Sequence, residues 1–125
     1  MKQSGRDFHL GDILSVTTRL MISPNGSRGT SELLEFLLGK KLESFKGVYA
    51  VCEPWLLACY PELDSRDMRQ AVITLKATLG SHPTPKLRQA IVDRWLATQV
   101  RIYGSTYHVH PVPESRKAEI PALAR

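Results

Sequence analysis

Histidines and cysteines are the residues of this chain best suited to holding a metal ion, and it has four of the first and two of the second. His108 and His110 would project to the same side of a strand, where His9 or a cysteine could complete a zinc site. However, the chain contains no Cys-x-x-Cys and no His-Glu-x-x-His, and no nearby carboxylate completes the ligand set. We therefore predict that it binds no metal and no cofactor.

Covalent catalysis would need a serine or cysteine beside a histidine and an acid that orients the histidine. Ser15, Cys52 and Cys59 all lie in apolar, helical segments, where such side chains usually pack rather than react. Asp12 and Glu53 could meet as a pair of acids, but the sequence does not show that they do. We therefore predict no catalytic residues and a non-enzymatic protein, and keep a small Cys/His enzyme as an alternative.

The two cysteines are seven residues apart. On one continuous helix this spacing places them on the same face but about two turns apart, which exceeds the reach of a disulfide. Pro54 lies between them and should interrupt the helix. We predict that Cys52 and Cys59 are reduced and buried.

Basic residues follow helical spacing in the second half of the chain. The whole chain has a net charge of +5 and an isoelectric point near 9.5. Arg66, Arg69 and Lys76 share one side of a predicted fourth helix, and Arg94 and Arg101 share one side of a fifth. If these helices pack antiparallel, their basic faces could form a positive ridge that carries the partner contacts. The alternatives are nucleic-acid binding through the same faces and a merely solvated surface.

The elements that must position these residues are mainly helices. A length of 125 residues with 42% apolar residues is typical of one globular domain. Apolar spacing and Gly or Pro stops predict helices over residues 12–20, from residue 30 to the stop at Gly39, and over residues 45–60 with a break at Pro54. We expect neither a secretory signal nor a membrane span.

Two longer helices follow. Asp64 should cap the fourth helix, which carries an apolar stripe and ends at Gly80. The fifth should start at Pro85 and end at Tyr103 before Gly104. Its main buried stripe is predicted to be Leu87, Ile91, Trp95 and Ile102, widened by Val92, Leu96 and Tyr103.

The predicted fold class is therefore all-α, with about five helices and a short extended segment over residues 106–112. Residues 1–113 should form a single helical domain, and residues 114–125 a flexible tail. The residues expected to be buried are Leu34, Leu37, Trp55, Leu75, Ile91 and Trp95.

Several short motifs resemble a small uncharacterised family encoded by bacteriophages and prophages. Its pattern is Leu-Gly-Asp-[Ile/Val]-Leu-Ser-[Ile/Val]-Thr-Thr, a Ser-Pro, an apolar helix and Cys-x-Pro-[Trp/Tyr]-Leu-Leu. Near the end of the pattern come a tryptophan helix, Tyr-Gly or Phe-Gly, and Val-x-Pro. The matching pieces are Leu10–Thr18, Ser23 and Pro24, residues 52–57, Trp95, Tyr103 and Gly104, and Val112 and Pro113. Arg19 departs from the pattern, because a glycine is expected after the two threonines.

The resemblance brings no catalytic residues, but it implies a setting. It points to an accessory protein in the cytoplasm of a bacterial host that binds a host or defence protein, or a ribonucleoprotein. An anti-CRISPR-type inhibitor is the most specific form of this hypothesis. Nucleic acid remains an alternative partner, no membrane contact is expected, and the oligomeric state is left open.

Overall fold

The computed structural model of the chain describes residues 5–24, 26–39, 41 and 47–113. Within these residues, five α-helices and a 3-10 turn accompany a two-stranded sheet, so the predicted all-α class is confirmed. In chain order the elements are β1 (Arg6–His9), α1 (Leu10–Thr18), α2 (Gly26–Leu38), α3 (Val48–Cys59), the 3-10 turn (Pro61–Asp64), α4 (Arg66–Leu79), α5 (Pro85–Tyr103) and β2 (Thr106–Val109). The predicted tail, residues 114–125, lies outside the described residues.

Helix α1 begins and ends two residues earlier than predicted. It begins at Leu10 because the Nδ1 atom of His9 accepts a hydrogen bond from the backbone N–H of Gly11 at 2.9 Å. It ends at Thr18 because Arg19 takes the left-handed conformation, with φ at 64°. Glycine adopts that conformation without a steric penalty, which explains why a glycine is expected there.

A buried polar network ties α1 to the loop that follows it. The hydroxyl of Ser15 donates to the Gly11 carbonyl at 2.8 Å and accepts from the backbone N–H groups of Ile22 at 2.9 Å and Ser23 at 2.8 Å. The carboxylate of Asp12 accepts a further hydrogen bond from the Ser23 hydroxyl. This network satisfies backbone groups that would otherwise be buried without partners.

Helix α2 starts earlier than predicted, at Gly26 rather than near Thr30. The turn-forming sequence between Ser23 and Thr30 thus contributes the first helical turn. The predicted stop is confirmed, since Gly39 adopts a left-handed φ of 72° directly after the last helical residue.

Helix α3 runs without interruption through Pro54, so the predicted break is wrong. Proline cannot donate to the carbonyl four residues earlier, here that of Ala50. Both Ala50 and Pro54 are exposed, so water can hydrogen-bond to that carbonyl. Buried residues of the same helix, including Cys52 and Leu56, hold it against the core.

The core lies where α1 packs against α2 and α3. Its largest fully buried side chains include Leu10, Ile13, Leu14, Leu33, Leu34, Leu37 and Leu56. The predicted burial of Leu34, Leu37 and Leu75 is confirmed, whereas Trp55, Ile91 and Trp95 are only partly buried. Both indole N–H groups reach backbone carbonyls, that of Trp55 at His110 and that of Trp95 at Ala71, at 3.1 and 3.0 Å.

The start of α4 is shifted by one residue from the prediction. Its N-cap is Ser65, whose hydroxyl accepts from the Met68 N–H at 3.2 Å, while Asp64 belongs to the 3-10 turn. The predicted bounds of α5 are confirmed, and Thr84 caps it. Contacts of Ser65 with Tyr103, and of Ala71 with Trp95, show that α4 and α5 run antiparallel.

The small sheet joins the two ends of the described chain. β1 and β2 are antiparallel, with Arg6 opposite Val109 and His9 opposite Thr106. The extended segment at β2 was predicted, but β1 was not, because its four residues pair only with a strand about a hundred residues later.

We expect Ser15→Ala to lower the free energy of unfolding by about 2–4 kcal/mol, because the backbone N–H groups of Ile22 and Ser23 lose their acceptor in a buried site. Thr74→Ala is the matched control: its hydroxyl also bonds the carbonyl four residues earlier, but on an exposed face. The control should change stability by no more than about 0.5 kcal/mol. Urea denaturation measures both, and equal losses would contradict the structural role of Ser15.

Candidate binding surface

Helix α5 has two apolar faces, and the structure buries the one predicted to be secondary. Val92, Leu96 and Gln99 are buried against the rest of the domain. Of the predicted main stripe, Ile91 and Trp95 are half-buried against the core. In contrast, Leu87 is 54% exposed and Ile102 is 64% exposed, so the two ends of the stripe lie outside the core.

This stripe is exposed at its two ends, Leu87 and Ile102, and half-buried between them, where Ile91 and Trp95 pack partly against the core. At about 100° per residue, Leu87, Ile91, Trp95 and Ile102 fall within an arc of about 80°. The residues that bury α5 lie roughly a third of a turn away, so one helix presents one face to the core and another to the outside. We refer to Leu87, Ile91, Trp95 and Ile102 as the α5 apolar face.

A groove of about 400 Å³ runs between this face and α4. Its lining consists of Thr78, Leu87, Ala90, Ile91, Arg94, Trp95 and Thr98. The hydrogen bond from the Trp95 indole to the Ala71 carbonyl anchors the largest lining side chain to the neighbouring helix. The groove is therefore lined by apolar side chains together with two threonines and Arg94, and its volume lies in the range of ligand-binding pockets in other proteins.

Basic side chains flank the α5 apolar face. By helical geometry, Arg94 and Arg101 lie along one edge, Arg88 lies along the other, and Asp93 points away. All three arginines are exposed, and none forms an ion pair with another residue in the part of the chain that the structure describes. Arg101 is positioned by a 3.3 Å hydrogen bond to the Thr98 hydroxyl.

All five predicted partner-binding residues are exposed, but the structure does not place them in one groove. Arg94 lines the groove between α4 and α5. Arg69 and Lys76 line a second groove of about 390 Å³, between α1, α3 and α4. Arg66 and Arg101 line neither groove. Their role in partner contact stays a prediction.

The second groove is largely neutralised by its own ion pairs. Arg19 lies 3.2 Å from the Glu53 carboxylate and stacks over the Tyr49 ring, 4.8 Å from its centroid. Arg69 lies 3.5 Å from the Asp64 carboxylate and also donates to that residue's carbonyl. Such exposed pairs contribute little to stability, but they occupy the charges that a ligand would need.

Three of the histidines make structural contacts. His9 caps α1, and the Nδ1 of His108 lies 2.8 Å from the Asp7 carboxylate across the sheet. The rings of His108 and His110 meet edge to face at 5.1 Å, which confirms that they project to the same side. Within the described ranges no three His, Cys, Asp or Glu side chains cluster as metal ligands. The predicted absence of a metal stays a prediction.

The candidate acids and nucleophiles are engaged elsewhere. Asp12 binds Ser23 and Glu53 binds Arg19, so these two acids do not act on a common group. Burial raises the pKa of the Cys52 thiol to about 12, which disfavours its reactive thiolate. Cys59 is exposed, contrary to the prediction, although partial burial also raises its pKa.

Comparison with known proteins finds a similarity to a protein family over part of the chain. Residues 8–66 match the family model of a domain of unknown function, DUF7736. No curated protein and no solved structure shows a significant match to this chain. The matched region contains the end of β1, helices α1 to α3 and the Ser15 network. It ends at the first residue of α4, so both helices that form the α5 groove lie almost entirely outside it.

The exposed face is the feature that the sequence reasoning missed. Its residues were identified, but they were assigned to the core, because an apolar stripe on a helix usually packs inward. A signal was present: α5 carries two stripes, and a helix at the edge of a small domain needs only one of them to pack.

We expect only one thiol to react in the folded protein. At pH 8 a disulfide reagent should modify Cys59, whereas Cys52 should react only after unfolding, because it is buried and its pKa is about 12. Spectrophotometric titration in the absence and presence of denaturant measures this. Cys59→Ser should remove the reaction of the folded protein, and its persistence at the wild-type rate would contradict the burial of Cys52.

Stability should fall at alkaline pH. Burial, followed by Cys59, Glu62 and Tyr107, raises the pKa of Tyr60 to about 12. The unfolded chain gives up this proton near the usual value of 10, so above that pH it binds fewer protons than the folded chain and unfolding becomes easier. The loss should extend up to about pH 12. Tyr60→Phe should reduce this slope in urea midpoints measured across the range; an unchanged slope would contradict the assignment.

Proposed function

We propose that this chain is a non-enzymatic accessory protein that binds a partner protein through the α5 apolar face. The observation that carries the proposal is the exposure of Leu87 and Ile102 on the same face of α5, with half-buried Ile91 and Trp95 between them beside a groove of about 400 Å³. A large apolar patch with a polar rim is typical of an interaction site, because leaving it in water is unfavourable. The partner would remove this surface from solvent.

The composition of the face supports protein binding. Trp95 is half-buried and fixed by its hydrogen bond to Ala71, and Arg94 lies beside it in the same groove. Tryptophan and arginine are enriched among residues that dominate interface energies, especially where they line a preformed pocket. The groove therefore offers a central anchor and a charged rim.

The state of the potential nucleophiles supports the non-enzymatic part of the proposal. The Ser15 hydroxyl makes three hydrogen bonds to backbone groups, so its lone pairs and proton are committed to the fold. The raised pKa of Cys52 favours an inert structural thiol.

The biological part of the proposal is a bacteriophage or prophage origin, with action in the cytoplasm of the bacterial host. The partner would be a host or defence protein, or a ribonucleoprotein, and an anti-CRISPR-type inhibitor is the specific hypothesis. This part is supported by the motif resemblance, which associates the chain with phage proteins and does not depend on the fold. None of the described helices is long and apolar enough to cross a membrane.

A capture experiment with a matched control tests the proposed surface. Leu87→Ser combined with Ile102→Ser should reduce recovery of the partner from bacterial lysate at least tenfold, because the apolar contact is lost. Ile73→Ser is the control, since Ile73 is 58% exposed but lies on α4 in the other groove. Exposed substitutions of this kind should leave the fold intact, which circular dichroism verifies.

The proposal is wrong if the double variant recovers every partner as well as the wild type, or if Ile73→Ser abolishes recovery equally. Nuclease treatment separates the nucleic-acid alternative: a protein partner should survive it, whereas recovery through nucleic acid should be lost. Binding to phosphates should also weaken steeply with salt.

A further inference from the structure

We infer that the partner presents an acidic amphipathic α-helix, which lies along α5 and inserts an apolar side chain into the groove beside Trp95. This inference rests on the proposed function and specifies the chemistry of the partner. It follows from three properties of the α5 apolar face: its length, its charged edges and the shape of its centre.

The length of the face fits a helix rather than a single side chain. Leu87 and Ile102 are fifteen residues apart, which corresponds to about 22 Å along the helix axis. The intervening Ile91 and Trp95 are half-buried and line the groove. A second helix could therefore contact the exposed ends and the groove through residues at its own i, i+3, i+4 and i+7 positions. A small molecule would cover only part of this stripe.

The edges of the face specify an acidic partner. Arg94 and Arg101 flank it on one side and Arg88 on the other, and none is neutralised by an ion pair with a described residue. Helix α5 carries four basic residues and one acidic residue, Asp93, which faces away from the stripe. A helix with carboxylates on both sides of its apolar stripe would place them beside these arginines.

The centre of the face provides the anchor point. The groove is bounded by Ile91, Trp95 and the α4 residue Thr78, with Arg94 at its rim. An aliphatic or aromatic side chain of the partner would enter between the two helices, and a carboxylate one turn away would reach Arg94. In such a complex, apolar side chains would be buried at the centre of the interface, and charged side chains would pair at its rim.

Two other occupants fit less well. A second copy of the chain would bring one set of α5 arginines against another, which is electrostatically unfavourable. Single-stranded nucleic acid stacks its bases on several aromatic rings, whereas this stripe has one aromatic residue, Trp95, among aliphatic ones. Both remain measurable outcomes of the test.

The test uses a synthetic eighteen-residue peptide, helical by design, with a leucine stripe flanked on both sides by glutamates. Two matched peptides replace every flanking glutamate with glutamine or with lysine. In the Trp55→Phe protein, the fluorescence of Trp95 reports binding at the groove. We expect the glutamate peptide to bind at least tenfold more tightly than the glutamine peptide in 50 mM salt, and the difference to shrink as salt screens the charges.

Charge reversal on the protein provides the second arm. Arg88→Glu with Arg94→Glu should weaken binding of the glutamate peptide at least tenfold and improve binding of the lysine peptide. The control is Arg28→Glu with Lys41→Glu, which changes the net charge equally but alters exposed residues outside α5. The control should bind the glutamate peptide within about twofold of wild type.

The inference is overturned if the glutamine peptide binds as tightly as the glutamate peptide, or if the two charge-reversed proteins behave alike. It is also overturned if sedimentation shows that the free protein dimerises through this face, or if single-stranded DNA displaces the glutamate peptide from it. If lysate capture still depends on Leu87 and Ile102 while the glutamate peptide fails, the proposed function stands and the acidic helix alone is wrong.

Discussion

The hydroxyl of Ser15 is the constraint on which the packing of this domain depends. It accepts hydrogen bonds from the backbone N–H groups of Ile22 and Ser23, in the loop after α1. The carboxylate of Asp12 binds the same loop, because it accepts a hydrogen bond from the Ser23 hydroxyl. Because these groups are buried, the loop cannot leave α1 without exposing unsatisfied donors in an apolar site. The loop in turn sets where α2 begins and how it meets α1 in the core.

The same segment also connects the core to the candidate binding surface. A Cβ atom at Gly11 would lie 2.8 Å from the Pro24 side chain and 3.1 Å from that of Leu96, so the loop and α5 approach α1 where only glycine fits. Leu96 belongs to the buried face of α5. The second apolar stripe lies roughly a third of a turn away, with half-buried Trp95 bonded to α4.

The buried network and the proposed binding surface therefore lie in different parts of the chain. The region matched by DUF7736 contains the network that holds the fold together, while the α5 groove with its arginine edges lies in the second half of the chain. The proposed partner contact thus uses a surface built on a helix whose inner face is already held by the core. Such a helix can present large apolar residues without losing its position.

The sequence alone determined the local features of this protein. Hydrophobic spacing, together with Gly39, Gly80, Pro85 and Gly104, predicted five helices and the bounds of α5, because these signals act within a few residues. The exposure of the arginines also followed from spacing. The roles of the serine, cysteine, histidine and acidic side chains were harder to predict, because the same residue types serve both structure and catalysis.

Only the tertiary structure decided what depends on distant partners. Strand β1 exists because β2 pairs with it, and α3 continues through Pro54 because the rest of the helix packs on the core. The choice between the two stripes of α5 was decided in the same way. Both stripes have helical spacing, but in the fold Leu96 lies close to Gly11 of α1, whereas Leu87 and Ile102 are exposed. The sequence could not rank them, because burial depends on the neighbours that the fold supplies.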